Sequence, residues 1–428
     1  MNSKRVVVVG QGYVGLPLAM LAIEKGHQVV GYDVDKVRVE ALARGESFVE
    51  DISDQEVADA LASGRYQATT DSDLLSGFDV IVITVPTPLR ETLPDLSYVE
   101  AATRTLAQHL RPGATVILES TTYPGTTEEM LGIGLETMTG LVAGKDFHLG
   151  FSPERIDPGN KRFGLRNTPK VVSGVNESSL AAVKEFYDSV LDTDAEGNPI
   201  TVPVSSPKEA ELAKLLENTF RHVNIALVNE LAMFGHDLGI NVWEAINAAA
   251  TKPFGYMKFT PGPGVGGHCL PIDPSYLSWQ VRRRLGRSFR FVELANDINE
   301  HMPDYVVSRL VYALNERSLA LKGSRLLLLG LTYKANTSDA RESPAIAVAE
   351  LLLKLGADVR AADPYLSEAH RLDPAITLVE LNDDELHSAD AVVLLTDHDA
   401  FDLDHIAATA AYVLDTRNKM SGESVDLL

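Results

Sequence analysis

Over roughly the first 200 residues, short apolar runs alternate with longer amphipathic stretches. Residues 6–10, 28–33, 80–85, 115–119 and 148–151 are rich in β-formers and bounded by Gly, Pro or Asp. The pattern predicts five strands separated by helices. Strands that are apolar throughout and lie between helices predict a parallel sheet covered on both faces. From Ser206 the period changes, and residues 206–239 read as one long helix. Ser206 suits its cap, Pro207 its first position, Glu209 the third residue of a capping box and Gly239 its end. Helical patterns follow at 242–250, 275–285, 291–299 and 302–319. Between the first two lies a Gly/Pro-rich loop of about two dozen residues, a length that marks a functional segment or a disordered one. After Lys322-Gly323 the alternation returns, with strands expected at 325–330, 358–363, 391–396 and 412–415 and a helix at 344–355.

Several strand ends carry chemistry. GQGYVG (10–15) follows the first strand and opens a helix. Gly10 permits a tight turn, Gly12 close approach of a pyrophosphate, and Gly15 close helix–strand packing. Asp33, at the end of the second strand, stands where a carboxylate accepts from an adenosine ribose, which favours NAD over NADP. Arg38 nearby tempers that, since a guanidinium pairs with a 2′-phosphate. The bland alternative is a merely tight turn. VPTP (85–88), ESTTYPGT (119–126) and SPERIDPG (152–159) end three further strands. The carboxyl ends of a doubly wound sheet line its ligand crevice, so three polar turns there suggest one shared site. The expected class is therefore α/β: two Rossmann-like doubly wound domains (1–204 and 321–428) joined by a central all-helical domain (205–320) with one long helix.

Two segments outside the first domain stand out. Lys214 and Asn218 share a face of the long helix, either as a functional pair or as a solvated one. PGPGVGGHCLPIDP (261–274) holds Cys269, the single cysteine, next to His268 and four residues before Asp273. A structural zinc site needs several ligands and no second cysteine exists, so metal is a poor reading; an inert thiol and a nucleophile both remain. In TYKANTSDARESPA (332–345), Lys334 and Arg341 put cations beside a helix N-terminus, a natural anion site, and Arg417 adds another at the end of the last strand.

Composition narrows the partners. The net charge of −22 argues against nucleic acid, which is held by clustered cations. No apolar run approaches the ~20 residues needed to span a membrane. A lone cysteine excludes an internal disulfide, and with four apolar residues after the N-terminal Lys-Arg pair too few for a signal peptide, a cytoplasmic setting is expected.

Eight blocks in order, GQGYVG, VPTP, ESTTYPGTT, SPERIDPG, AELAKLLENTF, PGPGVGGHCLPIDP, LTYKANTSDARESP and LDTRN, resemble the UDP-glucose/GDP-mannose dehydrogenase family almost end to end. The loop around Cys269 looks most like the branch acting on N-acetylated sugars. The resemblance implies a four-electron oxidation by NAD of the C6 alcohol of a UDP-sugar, with UDP-N-acetylglucosamine first and UDP-N-acetylmannosamine or UDP-glucose as alternatives. It makes Cys269 the nucleophile that forms a thiohemiacetal and then a thioester, with Lys214 and Asn218 facing the oxyanion. It places Asp273 and Thr121 at water and proton relay, and Glu154 as an acid/base near nicotinamide and sugar. Tyr13, Val14, Thr87 and Arg341 are implied at the cofactor; Arg155, Gly266, Lys334 and Arg417 at the UDP-sugar. A homodimer through the central helical domain is implied as well. Two departures from glucose-type members, Ile272 in place of a lysine and Pro253 (beside Lys252) in place of an arginine, fit a different sugar.

Overall fold

A computed structural model describes residues 3–90, 93–156, 160, 162–267, 270, 272–366 and 372–428. The chain forms two compact units, 1–217 and 218–428, and the division falls within the long helix.

In the first unit, β1 (Arg5–Val9), β2 (Gln28–Tyr32), β3 (Tyr66–Thr69), β4 (Val80–Ile83), β5 (Thr115–Leu118) and β6 (His148–Phe151) form a parallel sheet in the order β3-β2-β1-β4-β5-β6. Val6, Val8, Val82 and Ile117 face one layer, while Val7, Val9, Ile81 and Leu118 face the other. That two-sided burial is why these strands are apolar at every position. The expected strands run one or two residues too far: Gly10, Asp33, Val85 and Glu119 lie just past the carboxyl ends. β3 was not expected. It is a four-residue edge strand in which only Tyr66 and Thr69 are buried, too short a pattern to distinguish from a loop. A separate parallel pair, β7 (Lys170–Val172) and β8 (Thr201–Pro203), was also missed. Two helices matter to the site, α1 (Gly15–Glu24) and α2 (Glu177–Val190).

The long helix is α3 (Pro207–Asp237). Ser206 meets Glu209 through its hydroxyl and accepts from the Lys208 amide at 3.2 Å. At the other end Gly239 takes φ 66°. The Ile240 amide donates to the Gly235 carbonyl (2.8 Å) and the Gly239 amide to His236 (3.0 Å), a Schellman ending.

The second unit continues with α4 (Val242–Ala250), α5 (Asp273–Leu285), α6 (Arg290–Glu300) and α7 (Met302–Glu316). α7 stops three residues before the expected end because Ser318 adopts φ 59° and the Leu319 amide turns back to Leu314. Its sheet contains β9 (Arg325–Leu329), β10 (Asp358–Ala362), β11 (Thr377–Leu378), β12 (Ala391–Leu394), β13 (Val413–Asp415) and β14 (Val425–Leu427), ordered β11-β10-β9-β12-β13-β14. α8 (Pro344–Lys354) is capped by Ser343. The two sheets repeat one design, down to the turn after the first strand. Gly10 donates to the Tyr32 carbonyl at 2.8 Å and Gly330 to Ala362 at 2.9 Å. A Cβ at Gly10 would lie 2.8 Å from the Thr84 carbonyl oxygen, and one at Gly330 2.4 Å from that of Thr396.

Candidate active site

In the first unit the sheet order reverses between β1 and β4, and the GQGYVG turn lies at that switch point. A Cβ on Gly15 would come within 1.8 Å of the Gly10 carbonyl oxygen and 2.5 Å of Thr84 Oγ1, so α1 can start here only on a glycine. Gly12 has nothing within 4 Å of its Cβ position, leaving its backbone open to a ligand. Val14 precedes α1 with no side-chain cap, and Tyr13 beside it is exposed. The buried Gln11 amide group is fixed by Tyr66, whose hydroxyl donates to Oε1 at 2.7 Å, and by the Val8 carbonyl at 3.0 Å.

Asp33 is buried at the end of β2. Its Oδ2 accepts from the Gln11 amide (2.8 Å) and Arg38 Nη1 (2.9 Å), its Oδ1 from the Asp35 amide (3.0 Å). The Arg38 guanidinium also lies 4.8 Å from the centre of the Phe48 ring. The cation that tempers the NAD preference in the sequence is thus held on the carboxylate of Asp33. These residues fit NAD: an open glycine backbone at a helix N-terminus for the pyrophosphate, and a placed carboxylate for the ribose.

The strand-end turns are joined. Ser120 Oγ donates to the Val85 carbonyl at 2.7 Å, linking the turn of Thr121 to that of Thr87; both threonines are half-buried. Glu119, just before them, is fully buried against Lys170 and Tyr187. Glu154 accepts from the Ile156 amide through Oε1, while its Oε2 is buried with no partner among the described residues. Lys214 is buried at 7% exposure, and its ammonium donates to the Glu154 carbonyl at 2.5 Å. Arg155 is committed to Glu217 (2.7 Å) and the Pro169 carbonyl (2.6 Å). Glu211, one turn before Lys214, accepts from the amides of Gly125 (2.5 Å) and Thr127 (2.9 Å) and from the Thr127 hydroxyl (2.7 Å). Burial pushes the Glu211 carboxyl up to about 7 against those three hydrogen bonds.

In the second unit Asn218 Nδ2 donates to Asp273 Oδ2 at 2.5 Å, and Asp273 is buried as the first residue of α5. The glycine loop packs on the segment 333–344. A Cβ on Gly266 would meet the Glu342 carbonyl oxygen at 2.7 Å and Tyr333 Cβ at 2.8 Å; one on Gly267 would meet the Tyr333 ring at 2.8 Å. Gly262 lies against Arg417, whose Nη1 is 3.0 Å from the Cβ position. Arg417 also donates to the Leu395 carbonyl at 2.7 Å. Lys334 is half-buried, its carbonyl gripped by the hydroxyls of Thr332 (3.2 Å) and Thr337 (3.0 Å). Arg341 is exposed and doubly bonded to Asp339 at 2.9 and 3.0 Å. His398, unnoticed in the sequence, is fully buried. Its Nδ1 accepts from the Asn336 amide (3.0 Å), so Nε2 carries the proton that faces Asp363 at 3.2 Å. Cys269 and His268 lie outside the described residues. Lys170, Tyr187 and His398 escaped sequence reading, and Glu119 and Glu211 were read only as members of the ESTTYPGT and AELAKLLENTF blocks, because each acts on a distant partner; a lysine inside the apolar stretch PKVV was a further signal.

Three family models cover the chain: the NAD binding domain of the UDP-glucose/GDP-mannose dehydrogenase family matches 4–191, the central domain 208–301 and the UDP binding domain 327–422. A UDP-N-acetyl-D-mannosamine dehydrogenase of Pyrococcus horikoshii is 38% identical over 93% of this chain and 90% of its own. A UDP-N-acetyl-D-glucosamine 6-dehydrogenase of Pseudomonas aeruginosa is 37% identical over 86% of this chain and 84% of its own. A solved structure of the UDP-D-ManNAc dehydrogenase from Pyrococcus horikoshii superposes with a TM-score of 0.88 at 35% identity, covering 99% of this chain and 98% of that one. With the glycine turn, the buried carboxylate of Asp33 and three domain models in sequence order, the chain belongs to the UDP-glucose/GDP-mannose dehydrogenase family and is an NAD-dependent nucleotide-sugar dehydrogenase.

Proposed function

We propose that this dehydrogenase converts the C6 alcohol of a UDP-N-acetylhexosamine, UDP-N-acetylglucosamine before others, to the uronic acid. Each turnover consumes one water and two NAD and releases the carboxylate, two NADH and three protons. NAD, when bound, accepts the hydride in each oxidation. The Cys269 sulfur adds to the C6 aldehyde to give a thiohemiacetal. Loss of the second hydride leaves a thioester, and water attack on its carbonyl expels the thiol. In this reading the Lys214 ammonium and Asn218 amide, one helical turn apart, donate to the oxyanion at each tetrahedral stage. Such a donor is worth about 3 kcal/mol of barrier. Asp273 orders the attacking water, Thr121 relays its proton, and the buried Oε2 of Glu154, without a partner among the described residues, serves as acid/base.

The observation that carries the reading is the Asn218–Asp273 hydrogen bond of 2.5 Å, which couples an oxyanion donor to a carboxylate four residues after Cys269. Ile272 and Pro253 speak for an N-acetylated sugar over glucose. Assayed with a panel of UDP-sugars, the true substrate should yield two NADH per sugar, and Cys269→Ala should abolish acid formation. A clean product at one NADH per sugar, or full acid formation by the variant, would overturn the mechanism. The second reading, UDP-N-acetylmannosamine, is favoured by the Pyrococcus relative's name and is separated by the same panel.

We also propose domain boundaries near 204 and 320 and a homodimer through α3. Leu212, Leu216, Phe220, Leu227, Leu231 and Phe234 are all exposed at spacings of three, four or seven residues, an apolar stripe along the helix that Leu238 just past its end continues. The net charge of −22 speaks against a nucleic-acid partner, and the reduced thiol that the mechanism needs suits the cytoplasm.

A further inference from the structure

Three ionisable side chains of the first unit are buried together beneath the strand-end turns: Glu119 at 0% exposure, Lys170 at 2% and Tyr187 at 0%. The Lys170 ammonium contacts Glu119 Oε1 and donates to the Pro153 carbonyl at 3.2 Å. It also lies 5.2 Å from the centre of the Tyr187 ring. The Tyr187 hydroxyl donates to Glu119 Oε2 at 3.0 Å. Burial and the Glu119 carboxylate push the phenol well up, so it remains a donor.

Such a cluster is poorly explained by stability. Removing two charges from water costs several kcal/mol per ion, and apolar residues of the same volume often stabilise a fold as well or better. Its location offers another explanation. Glu119 stands two residues before Thr121 at the end of β5, and Lys170 begins β7. Lys170 grips the carbonyl of Pro153, and the next carbonyl, that of Glu154, receives the Lys214 ammonium at 2.5 Å. Two lysines therefore hold two successive carbonyls of one turn, and one of them is anchored by a buried carboxylate and phenol.

We propose that the Tyr187–Glu119–Lys170 network is a positioning device: it fixes the Pro153–Glu154 backbone so that the Glu154 carbonyl holds the Lys214 ammonium in its working place. The inference rests on the role given to Lys214 above. It assigns a function to three residues that are buried beneath the strand-end turns. A charged network suits the task, because its hydrogen bonds are directional where apolar packing is not.

The test is the double variant Glu119→Gln/Lys170→Met in the full-length enzyme, which removes both charges and leaves no ion unpaired. Thermal unfolding and the NAD dissociation constant should stay near wild type. kcat for acid formation should fall roughly 10- to 100-fold, the range expected when a catalytic group is misplaced. Lys170→Arg, which keeps the cation, should recover part of the loss. Combined with Lys214→Ala, the double variant should add little, because both changes act through one ammonium. An unchanged kcat, a parallel loss of NAD binding and melting temperature, or effects that add in full would each overturn the positioning role. If Lys214→Ala alone leaves acid formation intact, it is the reading of Lys214 that fails.

Discussion

Asp33 carries three donors at once, the amides of Gln11 and Asp35 and the guanidinium of Arg38. One carboxylate therefore shapes the glycine turn and restrains a cation, and in the proposed reading it also receives a ribose hydroxyl of NAD. The restraint on Arg38 has a direct consequence for cofactor choice. In Asp33→Ser the guanidinium is released and the negative charge that repels a 2′-phosphate is gone. We expect kcat/KM for NAD to fall roughly 10- to 100-fold, the loss of a charge-assisted hydrogen bond, while that for NADP rises. Steady-state kinetics with both cofactors measures the ratio; an unchanged ratio would show that Asp33 does not set the preference.

At the scale of elements, the first turns of α3 are clamped by Glu211 to the helical turn Thr127–Gly132 that follows the ESTTYPG segment. The neighbouring charges are Glu128 and Glu129, both bridged by Lys208 at 3.0 and 3.8 Å. Burial raises the Glu211 carboxyl from an unfolded value near 4.5 to about 7, so the folded state binds the proton more tightly. Its contribution to stability is complete below about pH 4.5 and is lost as pH rises through about 7, a loss of about 3 kcal/mol at most. Glu211→Gln cannot titrate. The difference in urea midpoint between wild type and variant should therefore change across this window and level off above it. A constant difference would mean that Glu211 does not titrate there. The clamp also fixes the register of Lys214, one turn further along the same helix.

At the scale of the whole molecule, one doubly wound design occurs twice with different uses of the same position. Asp33 in the first sheet faces the glycine turn; Asp363 in the second accepts from the amides of Leu331 (2.6 Å), Thr332 (3.0 Å), Tyr365 (2.8 Å) and Leu366 (3.0 Å) and from His398. Five donors saturate that carboxylate, which turns it from a ligand group into a brace for the loop bearing Lys334. The apolar stripe on α3 is the other molecular feature, and it runs along nearly the whole helix. Leu231→Asp/Phe234→Asp should convert the proposed dimer to a monomer in sedimentation analysis, because unpaired buried carboxylates are expensive. A variant that still sediments as a dimer would place the interface elsewhere.

Much of this was legible in the sequence. Strands apolar at every position, the glycine turn, the Ser206 cap and the Gly239 ending all depend on neighbours close in the chain, so local patterning states them outright. The edge strand β3 and the pair β7–β8 were not legible, because three or four residues with mixed burial carry no period. The resemblance of eight ordered blocks supplied the family. Only the tertiary structure decided that Arg38 is held on Asp33, that Asn218 meets Asp273, and that Glu119 pairs with Lys170 and accepts from Tyr187. Those last partners stand 51 and 68 residues away in sequence, and Glu211 reaches back 86 residues to Gly125. Nothing in a one-dimensional pattern pairs charges across such intervals. They meet because β7, α2 and α3 pack where the first sheet's strand-end turns lie, and buried polar groups there must find one another or stay costly.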